Sequence, residues 1–285
     1  MLPLIIDYPT FSRTLITIGP IAIRWYALAY IAGLILGWLF AKRLCKQPPF
    51  VVAPEKFDDF LLWAAGGVVL GGRLGYVLFY KPVEFAANPL TIFEIWHGGM
   101  SFHGGLLGVI LAILLYTWRQ GLMFAPRDKP NMWAFADIIA AATPPGLFFG
   151  RVANFINGEL WGRPSDVPWA MVFPDDKFQL PRHPSQLYQA FLEGIALFAV
   201  LLIAIYVFKA RRRPGLVAGL FLVSYAIARA IGELFREPDD FLGFIFGPIT
   251  MGQLLSLPLL LFGVWMIWRA ANGLELSGKA LSDKP

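Results

Sequence analysis

The amino-acid sequence predicts an all-α membrane protein, a bundle of about seven transmembrane helices with a small external head segment. The first observation is composition, because 57% of the 285 residues are hydrophobic and only 15% are charged, whereas soluble domains carry about 25% charged residues. The second is the length of the apolar runs, since one helical crossing of a bilayer takes roughly 20 apolar residues. Seven stretches approach this length, at residues 18–40, 57–80, 104–118, 132–149, 187–208, 216–235 and 249–268.

The first stretch is too long for the hydrophobic region of a signal peptide and lacks a small-residue cleavage site before Lys42, so we expect it to be retained. The second contains glycines at 66, 67, 71, 72 and 75, which let helices approach closely, and Arg73, which needs a carboxylate, a carbonyl or a ligand. The third is short, and the fourth is interrupted by Pro144-Pro145-Gly146. We take residues 1–285 as a single multi-pass membrane domain.

The basic residues predict the orientation. The segments after the first, third, fifth and seventh stretches hold fourteen Lys and Arg, and the opposite segments hold seven. Positive loops remain in the cytoplasm, so we expect a cytoplasmic C-terminus, an N-terminus outside, and residues 151–186 outside as a loop or head. The net charge of +5 then belongs to membrane-facing loops, and no nucleic-acid partner is expected.

Residues 150–163 are the most informative stretch. They carry Arg151, Asn154, Asn157, Glu159 and Arg163 directly after an apolar run. Ionisable groups near hydrocarbon are retained where they face a partner, a cavity or a ligand. The arginines alone could anchor a helix end at the headgroups, but amides add nothing to anchoring. We therefore predict a functional site here.

Two further segments of the chain carry polar residues near the ends of apolar stretches. Tyr225, Arg229, Glu233 and Arg236 form one helical stripe in the sixth stretch, where an Arg229–Glu233 ion pair is the structural alternative to a functional role. His103 lies in Ser-Phe-His-Gly-Gly before the third stretch, and glycine N–H groups at a helix start make this a candidate anion cradle.

These groups favour phosphate chemistry. Arginine offers two parallel N–H donors that match two phosphate oxygens, and a phospholipid headgroup is the anion most available at a membrane surface. Carboxylates do not cluster as a hard cation requires, so no metal site is expected. Nor does a Gly-x-Ser-x-Gly motif suggest a serine hydrolase.

Four motifs resemble the prolipoprotein diacylglyceryl transferase family: residues 150–163, Ser-Phe-His-Gly-Gly (101–105), His-Pro-Ser-Gln-Leu-Tyr (183–188) and Arg-x-x-x-Glu-x-x-Arg-Glu-Pro-Asp (229–239). The resemblance implies a seven-pass inner-membrane enzyme of bacteria. Such an enzyme moves the diacylglyceryl group of phosphatidylglycerol onto the lipobox cysteine of a prolipoprotein signal peptide and releases glycerol phosphate. Its partners are these two substrates and the lipid bilayer, and no cofactor is implied.

The resemblance also assigns residues. It implies that Arg151 holds the phosphate, with Asn154, Asn157, Glu159, Gly162 and Arg236 on the phosphatidylglycerol side. It implies catalytic roles for Tyr26, His103, Arg229 and Glu233. Gln189 departs from the family pattern, which has an acidic residue there, and this weakens a role for that position.

The sequence leaves two alternatives open. The thiol could be activated by His103 as a base or by the field of the arginines, which would lower its pKa. The competing class of protein is a membrane transporter or binding protein for an anionic lipid or small anion. The Pro144-Pro145-Gly146 break favours that class, but the two halves of the chain show no repeat.

Overall fold

A computed structural model describes residues 6–9, 12–19, 21–126, 128–238, 245, 250–273 and 275–276. Within those residues, six helices are apolar and long enough to cross a membrane: Trp25–Cys45, Pro54–Phe79, Met132–Asn157, Ser185–Tyr206, Leu216–Glu233 and Met251–Ala271. A shorter apolar helix, His103–Arg119, matches the third predicted stretch. Large side chains such as Leu62 and Leu261 are exposed on these helices, as lipid-facing residues should be. The chain is an all-helical integral membrane protein, while the count of seven crossings stays a prediction.

The elements follow one another in a simple order. Strands β1 (Ile6–Asp7), β2 (Thr14–Ile18) and β3 (Ile21–Arg24) precede helices α1 (Trp25–Cys45), α2 (Pro54–Phe79), α3 (Pro82–Ala87), α4 (Phe102–Arg119), α5 (Met132–Ala142) and α6 (Pro144–Asn157). Next come β4 (Met171–Val172), β5 (Pro181–Arg182), α7 (Ser185–Gln189), a π-helical segment (Ala190–Ala196) and α8 (Leu197–Tyr206). Helices α9 (Leu216–Glu233) and α10 (Met251–Ala271) complete the series, and short 3₁₀ turns lie at Pro89–Phe93, Ile95–His97 and Ala210–Arg212.

The prediction that the first helix begins at residue 18 is wrong. Strands β2 and β3 form an antiparallel hairpin in which Ile18 lies opposite Ile21, and the helix begins at Trp25. Residues 14–18 are rich in β-branched Thr and Ile, which favour a strand. Gly19 has a φ of +59°, a conformation that glycine adopts readily in a tight turn.

The chain divides into two compact units, and residues 42–136 with 274–285 form one of them. Here α2 and α4 pack antiparallel through their glycines. A methyl group on Gly67 would lie 2.5 Å from the carbonyl oxygen of Gly108, and one on Gly75 would lie 2.7 Å from the Cα of Gly104. The close packing predicted from the glycine density is confirmed.

Residues 1–41 with 137–273 form the other unit. Gly33 of α1 packs against Gly146 at the start of α6, where an added methyl group would lie 2.8 Å from the Gly146 Cα atom. Pro144 and Pro145 interrupt the fourth stretch at Thr143, as predicted, and the helix then continues as α6. Because α6 continues to Asn157, the helix ends eight residues later than the predicted boundary at residue 149. Arg151, Asn154 and Asn157 therefore lie on this helix.

The segment between α6 and α7, residues 158–184, contains a small sheet. Strand β4 pairs antiparallel with β5 and parallel with β1, so the sheet also includes residues from the N-terminal part of the chain. Arg182 donates to both oxygens of the buried Asp176 carboxylate at 2.7 and 3.1 Å. These hydrogen bonds hold the pKa of Asp176 below its usual range.

Candidate functional site

The site begins at the last two turns of α6. Helix α6 ends at Asn157 and is capped by Gly158. The left-handed backbone of Gly158 (φ +68°, ψ 30°) reverses the direction of the chain, as glycine caps commonly do. The reversal brings Glu159 back toward the helix, where its Oε1 accepts a 2.7 Å hydrogen bond from the Asn154 amide. Gln186, at the start of the next span, donates to the Glu159 carbonyl at 2.7 Å. The motif therefore forms a folded turn held by α7.

Arg151 points toward Glu193, a residue that the sequence analysis missed. Glu193 lies in the π-helical segment, and its side chain is completely buried. Its Oε2 accepts a 2.9 Å hydrogen bond from Nε of Arg151 and also lies 2.9 Å from Nη2 of that residue. Its other oxygen, Oε1, lies 3.5 Å from Nη1 of Arg229. One carboxylate thus lies between the arginines of the two predicted motifs.

Arg229 extends the same network along α9. Its Nη2 lies 2.5 Å from Oε1 of Glu233, and its Nη1 donates to Oε1 of Gln189 at 3.1 Å. Glu233 also accepts from Arg236 Nη1 at 3.2 Å and from the Thr250 hydroxyl at 2.7 Å. Thr250 caps α10, so the helix dipole further stabilises the Glu233 carboxylate.

We call this network the charged cluster; its members are Arg151, Glu193, Arg229, Glu233 and Arg236. The three arginine side chains are 12–17% exposed and the two glutamates at most 4%. Removing charges from water costs several kcal/mol per ion, and ion pairing offsets this only in part. Among these five side chains, three carry a positive charge and two carry a negative charge.

Arg163 and Gly162 join the loop after α6 to the end of α9. Arg163 donates from Nε to the Arg236 carbonyl at 3.0 Å and from Nη2 to the Glu233 carbonyl at 3.3 Å. A methyl group on Gly162 would lie 2.5 Å from the Phe235 carbonyl oxygen and 2.6 Å from that of His183. Gly162 is therefore required sterically, because no side chain fits at this contact.

Tyr26 lies in the first turn of α1. Its hydroxyl donates to that of Tyr30 at 3.2 Å, and the two rings are tilted with centroids 4.8 Å apart. The Tyr30 hydroxyl would lie 3.8 Å from a methyl group on Gly150, the residue before Arg151. The tyrosine pair therefore adjoins α6 at the level of the charged cluster.

His103 belongs to the other unit, in the first turn of α4, and its side chain is exposed. The structure shows the partners of two backbone donors in the anion cradle predicted beside it. The Gly104 N–H donates to the Ser101 hydroxyl at 3.2 Å and the Gly105 N–H to the Ser101 carbonyl at 2.9 Å, so both donors are occupied. Gly104 serves instead the close packing of α4 against α2.

Arg73 also has a structural explanation. It is buried, and its guanidinium donates to five backbone carbonyls, those of Thr91, Ile92, Glu94, Gly98 and Gly99 at 2.6–3.3 Å. Carbonyls were one of the three partners that the sequence allowed. Because these contacts occupy all its nitrogens, Arg73 organises the loop before α4 and is not available to a ligand.

The sequence carried a signal for Glu193. It is the one charged residue between positions 187 and 208, inside an apolar span, and such a residue is a functional candidate by default. Gln189 lies four positions before Glu193 and, like Glu193, contacts Arg229. Position 189 therefore adjoins the charged cluster even though glutamine replaces the acidic residue of the family pattern. Within the described residues, no three His, Cys, Asp or Glu side chains group as a metal ion requires.

The fold and the site together define a class of protein: a multi-pass, all-helical membrane protein with a charged cluster buried between its helices. The family model described as prolipoprotein diacylglyceryl transferase matches residues 13–269. The chain belongs to this family.

Several bacterial relatives are similar over almost their whole length. A phosphatidylglycerol–prolipoprotein diacylglyceryl transferase of Azospirillum brasilense is 54% identical over 268 residues, covering 94% of this chain and 97% of the relative. Proteins of the same name from Agrobacterium fabrum and Rhodopseudomonas palustris are 50% and 51% identical, covering 94% and 98% of this chain and 95% and 97% of the relatives.

Proposed function

We propose that this chain transfers the diacylglyceryl group of phosphatidylglycerol to the cysteine thiol of prolipoproteins and releases glycerol phosphate. The observation that carries the proposal is the charged cluster, with three arginines and two glutamates buried among apolar helices of a member of this family. A membrane lipid with a phosphodiester headgroup matches both its charge and its surroundings.

Arg151 binds the phosphate in this proposal. Glu193 occupies the Nε and Nη2 edge of its guanidinium, while Nη1 has no hydrogen-bond partner among the residues that the structure describes. That nitrogen is available to a phosphate oxygen. We assign the remaining lipid contacts to neighbours in the same motif and at the end of α9: Asn154, Asn157, Glu159, Gly162 and Arg236.

We assign catalytic roles to Arg229, Glu233, Tyr26 and His103. Negative charge builds on the phosphate as it leaves, and fixed positive groups in a water-poor site stabilise that charge strongly. The ion pairs of Arg229 with Glu193 and Glu233 keep its guanidinium in place before substrate arrives. This preorganisation supports a catalytic role beyond the ion pair itself.

The reaction is a substitution at the glyceryl carbon. The cysteine sulfur forms a bond to that carbon, and the bond from carbon to the phosphate oxygen breaks. The departing phosphate keeps the electron pair and leaves as glycerol phosphate. The thiol proton passes to a base, and the product is a thioether.

Two routes to the thiolate fit these residues. A free cysteine has a pKa near 8.5 and is mostly protonated at neutral pH. In one route His103, whose side chain is exposed, takes the proton as a general base. In the other, the excess positive charge of the arginines lowers the thiol pKa and no side chain acts as base.

We place the protein in the bacterial inner membrane, with the N-terminus and the 158–184 segment in the periplasm and the C-terminus in the cytoplasm. The excess of basic residues in the segments after odd-numbered stretches supports this orientation. The second substrate is then a prolipoprotein whose signal peptide presents its lipobox cysteine at the outer surface of the bilayer.

A transfer assay with the purified, full-length protein tests the function. The protein is incubated with phosphatidylglycerol and a labelled peptide containing a lipobox cysteine, and a matched peptide with serine in place of that cysteine is the control. We expect lipid on the cysteine peptide only, with an equal amount of glycerol phosphate. Lipid binding without transfer would favour the alternative of a lipid-binding or transport protein.

A further inference from the structure

The one acidic residue of the 185–206 span lies between two arginines assigned to phosphate chemistry. We propose that Glu193 is a positioning residue that fixes the guanidinium of Arg151 relative to that of Arg229, so that both act on a single phosphate. The inference rests on the proposed function, since it concerns how the same site holds phosphatidylglycerol.

The local helix geometry brings Glu193 to this position. Residues Ala190–Ala196 are π-helical, a rare geometry that is frequent at functional sites because it redirects side chains within a helix. Gly194 lets this segment approach α6 closely, since a methyl group there would lie 2.6 Å from the Cβ of Phe148. Glu193 can therefore reach α6 and α9 from one helix.

The two carboxylate oxygens of Glu193 contact the two arginines at different distances, as expected of a residue that positions Arg151. Its Oε2 accepts a hydrogen bond from Nε of Arg151 and lies 2.9 Å from Nη2 of the same guanidinium, and these two contacts restrain the guanidinium. Its Oε1 is buried, lies 3.5 Å from Arg229 Nη1 and makes no hydrogen bond among the described residues. The carboxylate thus holds Arg151 firmly and orients Arg229 loosely, while its complete burial keeps it away from substrate.

A purely structural ion pair is the competing explanation. Such a pair stabilises the fold but does not change how the folded protein uses phosphatidylglycerol. The chain offers a matched control in Asp176, a buried carboxylate that also pairs with an arginine, Arg182, through two nitrogens. Asp176 lies in the 158–184 segment, outside the charged cluster.

The test is a double-mutant cycle on full-length, monodisperse protein: wild type, Glu193→Gln, Arg151→Lys and the double variant. We expect Glu193→Gln to lower kcat/KM for phosphatidylglycerol at least about tenfold, because small displacements of positioned groups have large effects on rate. The KM for the peptide should stay unchanged. In the Arg151→Lys background, which lacks the paired nitrogens, the same change should lower kcat/KM by less than about threefold.

Asp176→Asn is the control for loss of a buried ion pair outside the charged cluster. Asp176→Asn should lower the thermal stability but leave kcat/KM for phosphatidylglycerol at the wild-type value. If Glu193→Gln cannot be purified, Glu193→Asp replaces it, and the shorter side chain should give the same tenfold loss.

The positioning role would be overturned if the kcat/KM of the Glu193 variant lay within about twofold of wild type. It would also be overturned if the two single effects on kcat/KM multiplied in the double variant. Neither result would contradict the proposed function. A wild-type chain that transfers no lipid would overturn the proposed function and this inference together.

Discussion

At the scale of single residues, the partners of an arginine distinguish its role better than its position in the sequence. Arg73 and Arg151 both lie in apolar helices. The donors of Arg73 are all occupied by backbone carbonyls. Arg151 instead contacts a carboxylate through Nε and Nη2, and its Nη1 makes no hydrogen bond within the part of the chain that the structure describes. The first arrangement organises a loop, and the second leaves one nitrogen for the phosphate of the proposed function.

The pH dependence of a His103 variant distinguishes the two routes to the thiolate. If His103 is the base, His103→Gln should reduce the rate at pH 7 by about a hundredfold, the usual contribution of a general base. The rate should then recover as the pH rises toward the thiol pKa near 8.5, because solvent takes the proton instead. Transfer is measured from pH 6 to 9 with wild type in parallel. A variant that equals wild type at pH 7 would support the arginine route.

At the scale of elements, glycines determine how closely the helices pack. Gly66 and Gly67 are neighbours in α2, but only Gly67 faces α4. A methyl group on Gly67 would lie 2.5 Å from the Gly108 carbonyl, whereas one on Gly66 would have nothing within 4 Å. The two positions therefore form a natural pair of test and control.

We expect Gly67→Ala to destabilise the protein by about 1–3 kcal/mol, because overpacking forces the helix backbones apart. Gly66→Ala should be neutral or slightly stabilising, since alanine has the higher helix propensity and meets no neighbour. Thermal unfolding of both variants in the same detergent measures the difference. Equal melting temperatures for the two variants would show that this packing does not occur in the membrane protein.

The same elements show how far the sequence predicts the fold. Apolar length predicted the helices, and proline placed the break before α6. The β2–β3 hairpin was not predicted because Ile18 and Ile21 count as apolar membrane residues when hydropathy alone is considered. The predicted boundary at residue 149 marks the end of the apolar run, whereas the helix continues through Arg151, which forms an ion pair with Glu193.

The site could be predicted only in part for a similar reason. Arg151 and Arg229 stand out as charges in apolar surroundings, and their motifs resemble a family. That both contact one carboxylate follows from the packing of the π-helical segment against α6 and α9, and no sequence spacing shows it. Likewise, the hydrogen bonds from the Gly104 and Gly105 N–H groups to Ser101 depend on the position at which α4 begins, and the sequence does not show that position.

At the scale of the whole molecule, the proposed function requires that the 158–184 segment lie on the periplasmic face of the membrane. A phosphatidylglycerol site that serves exported prolipoproteins must open to the periplasmic side. The basic residues support this orientation, and two exposed positions allow a direct test. Asp175 is 54% exposed in the 158–184 segment, and Arg212 is exposed between α8 and α9.

Single cysteines are introduced in a Cys45→Ala background, since Cys45 is the only cysteine of the chain. Asp175→Cys should react with a membrane-impermeant maleimide in intact spheroplasts. Arg212→Cys should react only after the membrane is permeabilised. The opposite pattern would reverse the orientation and move the site to the inner leaflet.

The central claim is that Arg151 binds the phosphate of phosphatidylglycerol, and replacement by lysine tests it most directly. Lysine keeps the charge and can still anchor a helix at the headgroups, but its ammonium cannot present the planar donors of a guanidinium. Loss of a charge-assisted hydrogen bond is worth about 1.5–3 kcal/mol, which is roughly ten- to a hundredfold in rate.

The decisive measurement is the rate of diacylglyceryl transfer by equal amounts of monodisperse wild type, Arg151→Lys and Arg151→Ala across a range of phosphatidylglycerol concentrations. We expect Arg151→Lys to insert normally and to be at least about tenfold slower, and Arg151→Ala to be slower still because the counter-charge is lost as well. A lysine variant that matches wild type at every lipid concentration would make Arg151 a headgroup anchor and contradict the account.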